Sequence, residues 1–140
     1  MKRFNSHKLI LAGILTLVFS CAREINFSER ISGKWSMVKV LELSEDVTES
    51  HNPGKNRWIS FKADPNIPGS GSFESGTGEE MENTGRWFFN KEEKEFFLDS
   101  DAGEEDDSYW EVSFNSDSMH WKGRKFEFNK RFELFFKKIE

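Results

Sequence analysis

The sequence predicts an all-β fold in which eight antiparallel strands close into an up-and-down barrel. Short segments between residues 33 and 138 alternate apolar and polar side chains with the period of two that is typical of strands. The connections between these segments are too short for crossover helices, which favours antiparallel pairing. Fifteen Phe and five Trp residues supply the material for a core. Closure removes exposed sheet edges, so a barrel is favoured over a sandwich.

The first strand is predicted at residues 33–43. Its apolar side carries Trp35, Met37, Leu41 and Leu43. The polar segment that follows, residues 44–56, contains Pro53 and Gly54 and predicts a loop that covers one end of the fold.

Seven further strands follow at even spacing. In one of them, residues 84–90, Trp87 and Phe89 are expected to point inward and Phe88 outward. The turn at residues 64–70 combines Pro, which fixes its own φ, with Gly, which permits a left-handed backbone. The other predicted strands are residues 57–63, 71–77, 94–99, 109–115, 119–125 and 131–138.

The amino terminus has the layout of a signal peptide. A basic segment without acids, residues 1–8, precedes eleven mostly apolar residues, Leu9 to Phe19. This run falls short of the roughly 20 residues that a permanent transmembrane helix needs. We therefore expect residues 1–20 to be cleaved, with residues 21–32 forming a polar tether.

The residues at the end of this segment, Val18-Phe19-Ser20-Cys21, are similar to the bacterial lipobox. The resemblance implies a lipidated Cys21 carrying acyl chains such as palmitate, and hence a membrane-anchored lipoprotein of the cell envelope. Ala22, rather than Asp, implies sorting to the outer membrane. The alternative is an ordinary signal peptide with a cysteine nearby. Because Cys21 is the one cysteine of the sequence, no intrachain disulfide can form.

The charge balance excludes one class of partner. Residues 21–140 carry 17 basic and 25 acidic side chains and no dense basic run. A basic face is what grips phosphate backbones, so we expect no nucleic-acid binding.

The first predicted strand opens with Gly33-Lys34-Trp35, which resembles the Gly-x-Trp signature of lipocalins. Together with the lipobox, the motif resembles the short lipocalin-like domain lipoproteins of the Bacteroidetes. The resemblance implies a barrel over residues 33–140, with Trp35 at its closed end and an arginine near the last strand, Arg124 or Arg131, packed on it. The sequence departs from the lipocalin pattern in having no recognisable second lipocalin block, and we expect no counterpart of the carboxyl-terminal helix of large lipocalins.

The sequence offers no catalytic constellation. His51 and His120 do not have the spacing of a zinc site, and no Gly-x-Ser-x-Gly is present. We therefore expect no enzyme activity, no cofactor and no metal ligands. The acidic run 99–107 is interpreted as a solvated hairpin loop, because its Gly is at the fifth rather than the sixth position of a calcium loop; weak calcium binding is the alternative.

The large aromatic side chains are the remaining candidates for function. They either fill the barrel completely or line a pocket for a small apolar ligand, neutral or cationic because acidic loops repel anions. In the second case the expected ligand-binding residues are Trp35, Trp87, Trp110, Trp121, Phe89 and Phe114. The alternative function is a solid-core barrel that docks an envelope protein on its outer face, where Phe88 is expected to be exposed.

Overall fold

The computed structural model describes residues 26–140. The predicted signal peptide and Cys21 lie outside these residues. The described part of the chain contains nine strands: β1 Gly33–Glu42, β2 Glu45–Asp46, β3 Arg57–Ala63, β4 Ser70–Thr77, β5 Glu80–Asn90, β6 Glu95–Ser100, β7 Ser108–Asn115, β8 Ser118–Arg124 and β9 Phe132–Lys138. The helical segments are residues 26–31 (α1), Thr48–His51 (α2) and Glu127–Lys130 (α3), with 3₁₀ turns at Pro53–Lys55 and Glu104–Asp106.

Eight of these strands form a closed barrel. From β3 to β9 each strand pairs antiparallel with the next, and β3 also pairs with β1. The ring is closed by β1 and β9, where Trp35 lies opposite Lys138 and Val40 opposite Leu134. The two-residue β2 pairs antiparallel with the end of β1 and is not one of the eight barrel strands. The predicted eight-stranded antiparallel up-and-down barrel is confirmed.

Side chains alternate between the interior and the outer face of this barrel. Cross-strand pairs such as Phe61 with Phe73 and Trp87 with Leu98 face inward. A bulge between Met37 and Lys39 resets the alternation, so that Val40 is again buried. The most deeply buried large side chains are Trp35, Trp87, Trp121, Phe96, Ile31 and Met119.

Two glycines make room for the largest rings. A Cβ on Gly85 would lie 2.7 Å from the ring of Phe73, and one on Gly71 would lie 2.5 Å from Nε1 of Trp87. Each Cβ would also lie against a backbone carbonyl oxygen, that of Asp99 for Gly85 and that of Lys62 for Gly71. Any side chain at either glycine therefore displaces both the aromatic ring and the neighbouring strand.

The barrel has two different ends, which the alternating strand directions define. The first, here called the closed end, holds α1 and the turns at residues 64–69, 91–94 and 116–117. The second, here called the mouth, holds the connections at residues 43–56, 78–79, 101–107 and 125–131.

The segment before β1 differs from the prediction. We expect a tether over residues 21–32, but residues 26–31 are helical and pack into the closed end. Phe27 and Ile31 are four residues apart, which places them on one face of a helix, and both are buried. Within residues 26–140, no helix has both the length and the apolar character needed to cross a bilayer.

Candidate functional site

The closed end is sealed by α1. Phe27 stacks on Phe89 with ring centroids 4.0 Å apart and an interplanar angle of 3°. The Nε1–H of Trp35 donates to the carbonyl of Ile31 at 2.8 Å, and the backbone N–H of Gly69 donates to Oγ of Ser28 at 3.0 Å. These contacts tie the helix to three different parts of the barrel, so a ligand cannot reach the core from this end without displacing it.

Trp35 lies at the closed end, as the lipocalin resemblance implied, but the cation beside it is a lysine. Nζ of Lys138 lies 5.3 Å from the centre of the Trp35 ring. Arg124 instead pairs with Glu111 at 2.9 Å, and Arg131 pairs with Glu42. Both arginines belong to the mouth half of the barrel, so the prediction that one of them packs on Trp35 was wrong.

The mouth contains a cavity of about 460 Å³, within the usual range of small-molecule sites. One side of it is apolar, made by side chains of β1, β3, β8 and β9 that point into the barrel. The other side is polar and comes from β4, β5, the loop at residues 101–107 and the first residue of β3. The apolar lining is Met37, Ile59, Trp121, Leu134 and Phe136, and the polar lining includes Arg57, Ser75, Glu82, Asn83 and Asp106.

Hydrogen bonds fix the polar side of this cavity. Oγ of Ser100 donates to Oδ1 of Asn83 at 3.0 Å, and the backbone N–H of Ser100 donates to Oδ1 of Asp107 at 2.8 Å. The network anchors the acidic loop to β5 and β6. It leaves both hydrogens of the Asn83 amide group available to a ligand, because no bond from that nitrogen is found among residues 26–140.

Three charged side chains line the cavity without an ion pair inside the described part of the chain. They are Arg57 on β3, Glu82 on β5 and Asp106 in the acidic loop. The net charge of the lining is therefore −1, and each group keeps its full capacity to bind a ligand group of opposite sign.

Trp121 separates the cavity from the core. Its ring packs against Phe136 at 4.7 Å and against Phe96 and Trp110, both at 5.4 Å. The side chain is 2% exposed, and its Nε1 atom has no hydrogen-bond partner among the residues that the structure describes. An unsatisfied buried donor costs about 1–3 kcal/mol, so this Trp is held by ring packing alone.

The structure distributes the six predicted ligand-binding residues over three places. Trp35, Trp87 and Trp110 are buried in the core. Trp121 lines the mouth cavity. Phe89 and Phe114 instead line a groove of about 520 Å³ at the closed end, beside Phe27 of α1. The six residues therefore do not form one site.

The outer face carries a row of stacked aromatic rings. Phe88, Phe97 and Tyr109 occupy one register line across β5, β6 and β7, and Phe126 continues it. The centroid distances are 6.3 Å, 4.5 Å and 5.7 Å along the row. The prediction that Phe88 points outward is confirmed, since its side chain is 39% exposed.

Lys125 lies beside this aromatic row, between the ring of Tyr109 and the buried carboxylate of Glu95. Its Nζ lies 4.2 Å from the centre of the Tyr109 ring and 2.7 Å from Oε1 of Glu95. The hydrogen bond to Glu95 raises the pKa of Lys125 above its usual value.

Neither histidine belongs to a metal centre or to the cavity. His51 packs edge-on against Phe132 at 5.4 Å, and Nε2 of His120 lies 2.7 Å from Oε2 of Glu133. Over residues 26–140, no three His, Cys, Asp or Glu side chains come together as metal ligands would.

In the acidic loop, Oδ2 of Asp101 accepts a hydrogen bond from Oγ1 of Thr84 at 2.6 Å.

Most of the residues that line the cavity are not among the ligand-binding residues predicted from the sequence. Met37, Ile59 and Leu134 lie at inward positions of their strands, as does Arg57 at the start of β3. Strand alternation identifies all four as inward-facing, but it carries no information on depth along the barrel axis. Depth is what separates the mouth cavity from the filled core.

No protein-family model and no curated protein matches this sequence. A solved structure titled "REP1-NXSQ fatty acid transporter" is similar over 80% of this chain and 98% of its own, with 12% sequence identity and a TM-score of 0.46. The barrel assignment rests on the closed pairing of β1 with β9 in this chain.

Proposed function

We propose that this protein is a lipid-anchored lipoprotein of a bacterial cell envelope that binds a small apolar ligand in the mouth of its barrel and has no catalytic activity. The observation that supports the proposal is the cavity of about 460 Å³ with an apolar side, opening at the mouth of a barrel whose opposite end is sealed by α1. An interior built this way admits a ligand from one end only.

The charge of the mouth supports a neutral or cationic ligand. Counting the mouth connections and the two adjoining residues of each barrel strand, the mouth carries fourteen acidic and six basic side chains. The same count at the closed end gives seven of each sign. The net charge of −8 at the mouth repels an anion approaching the cavity and attracts a cation.

The anchor is proposed from the lipobox-like residues Val18 to Cys21. Cleavage before Cys21 and acylation of its thiol and new amino terminus would supply several acyl chains, and two or more chains hold a protein on a membrane stably. With Ala22 after the cysteine, we propose the outer membrane as the location.

A titration of intrinsic Trp fluorescence with three ligands of equal chain length tests the binding proposal. Dodecanol, dodecylamine and dodecanoate differ only in the charge of the head group. We expect saturable binding at one equivalent for the alcohol and the amine, and at least tenfold weaker binding of the carboxylate at low salt. Absence of saturable binding of all three to folded protein would contradict the proposal.

A matched pair of variants locates the site. Leu134→Trp fills the cavity, whereas Val38→Trp places the same side chain on the exposed bulge of β1. We expect Leu134→Trp to weaken binding at least tenfold and Val38→Trp to leave it unchanged, with both proteins folded by circular dichroism. Equal affinities for the two variants would place the ligand elsewhere.

A second candidate function is docking of an envelope protein on the outer aromatic row. The stacked rings of Phe88, Phe97 and Tyr109 favour it, since a contiguous exposed aromatic patch often marks an interface. A photo-cross-linking residue at position 97 is expected to capture one discrete partner in cells, and Phe88→Ala with Phe126→Ala is expected to abolish that product. The same double variant leaves the ligand titration unchanged if the two functions are separate.

A further inference from the structure

We infer that the closed end of the barrel is a docking surface for an anionic lipid bilayer, so that the anchored protein holds its mouth away from the membrane. The inference rests on the lipid anchor of the proposed function and adds an orientation to it. Two independent observations carry it: the position at which the chain enters the fold, and the distribution of charge between the two ends.

The chain enters the barrel at the closed end. The first described residues, 26–31, form α1, and the contacts of Phe27, Ser28 and Ile31 fix this helix to the barrel. Five residue steps separate Cys21 from Asn26 and span at most about 17 Å when fully extended. The anchor is therefore confined to the neighbourhood of the closed end.

This reach is shorter than the barrel. Strands β4 and β7 have eight residues each. A strand of that length, tilted by about 40°, covers about 20 Å along a barrel axis. A tether that starts at the closed end cannot run this distance and also enter the bilayer, so turning the mouth toward the lipid would require α1 to leave its place.

The distribution of charge between the two ends also favours an orientation with the closed end toward the membrane. The mouth carries a net charge of −8, while the closed end is balanced and presents Lys34, Lys62, Lys137 and Lys138 at its strand ends. An anionic membrane surface attracts basic residues and repels acidic ones within about a Debye length. The asymmetry therefore favours the closed end as the face that meets the lipid.

The test is fluorescence quenching in vesicles with the full chain, processed and lipidated in a bacterial host. After lipidation Cys21 has no free thiol, so one introduced cysteine carries the label. Ile67→Cys at the closed end and Met81→Cys at the mouth form a matched pair, because Ile67 is 54% and Met81 58% exposed. The vesicles contain phosphatidylcholine and phosphatidylglycerol, with a nitroxide quencher on the lipid head group.

We expect at least threefold stronger quenching at position 67 than at position 81. Inserting fifteen Gly and Ser residues after Glu24 is expected to reduce this ratio toward one in purely phosphatidylcholine vesicles, where charge does not orient the barrel. Equal quenching in the parent protein, or stronger quenching at position 81, overturns the inference.

The mass of the purified protein separates this inference from its premise. A Cys21 thiol without acyl chains overturns both the anchor and the orientation. A fully lipidated protein with equal quenching at the two positions overturns the orientation alone and leaves the anchor and the ligand-binding proposal standing.

Discussion

Trp35 and Ile31 are joined by a buried hydrogen bond between the start of the barrel and the helix that seals it. The indole N–H of Trp35 donates to the carbonyl of Ile31 at 2.8 Å, and Trp35 is 1% exposed. The bond satisfies an indole donor that would otherwise be buried without a partner, as the indole of Trp121 is within residues 26–140. One side chain thus both fills the closed end and fixes α1.

Replacing each of these two tryptophans by phenylalanine separates hydrogen bonding from packing. Both changes remove the same ring volume from a buried site. Of the two indoles, however, only that of Trp35 has a hydrogen bond to lose among the residues that the structure describes, the one to the carbonyl of Ile31. We expect Trp35→Phe to lower the free energy of unfolding by about 1–3 kcal/mol more than Trp121→Phe does. Urea unfolding of the two variants measures the difference. Equal losses would show that the bond to Ile31 adds nothing to stability.

Phe27→Ala tests the role of α1 in stability. Phe27 is buried and contacts Phe89, Trp87, Phe96 and Phe114. Its truncation leaves a void at the closed end, and we expect a loss of about 3 kcal/mol in the free energy of unfolding. Asn26→Ala, at an exposed position of the same helix, is the control. A Phe27→Ala protein as stable as this control would mean that the packing of Phe27 at the closed end adds nothing to the free energy of unfolding.

The ion pair of Lys125 and Glu95 predicts a pH dependence on the alkaline side. Lys125→Met leaves the buried carboxylate of Glu95 without its partner at 2.7 Å and is expected to destabilise the barrel at pH 7. The hydrogen bond raises the pKa of Lys125 above its ordinary value of 10.5. The ion pair therefore contributes fully to the free energy of unfolding below pH 10.5, and this contribution is lost only as the pH rises through the higher pKa of the folded protein.

Unfolding measured from pH 7 to pH 12 checks this behaviour. The stability gap between the parent protein and Lys125→Met is expected to be constant up to about pH 10 and then to close. Lys122→Met, an exposed change on the adjoining strand β8, serves as the control and is expected to have no such gap. A gap that closes between pH 7 and pH 9 would contradict the assignment.

The hydrogen bonds of Asp46 predict that the free energy of unfolding also depends on pH in the acidic range. Its Oδ1 accepts hydrogen bonds from Oγ1 of Thr48 at 2.6 Å and from the backbone N–H of Thr48 at 3.0 Å. The side-chain bond first, then the backbone bond, lowers the pKa of Asp46 below 3.8. The Asp46 carboxylate therefore contributes to the free energy of unfolding above pH 3.8, and this contribution is lost as the pH falls through the lower pKa of the folded protein.

Asp46→Ala is therefore expected to be less stable than the parent at pH 7, and the difference is expected to shrink below pH 3.8. Glu45→Ala, at the neighbouring exposed position, is the control. Thermal unfolding at pH 7 and at pH 2.5 measures both variants. A difference that is the same at the two pH values would exclude the Asp46 carboxylate as its origin.

The barrel could be predicted from the sequence because alternation is a local property. Each strand shows its inward face within six to eleven residues. Residues 84–90 of β5 are predicted from Gly85, Trp87 and Phe89 on one side of the strand, despite the outward Phe88. The helix at residues 26–31 could not be predicted in the same way. Its signal is one pair of apolar residues, Phe27 and Ile31, among polar neighbours, and the helix is stabilised by rings of distant strands.

The candidate site was predicted only in part, for a geometric reason. Of the six aromatic residues proposed from the sequence, Trp121 alone lines the mouth cavity. Trp87 and Trp110 obey the same inward alternation but lie deeper in the filled part of the barrel. Position along the axis depends on the register of neighbouring strands, such as Val112 opposite Trp121, and no single strand contains that information.

The seam between β1 and β9 also constrains how the chain reaches its native state. Every other pairing of the barrel joins strands that are neighbours along the chain, whereas this seam places Trp35 opposite Lys138. Hairpins can form as the polypeptide emerges, but the ring stays open, with two unprotected edges, until the last strand is available. The edges of β1 and β8 therefore stay open to pairing with other chains until the last strand has been synthesised, and interruption of synthesis before Phe132 leaves both edges exposed.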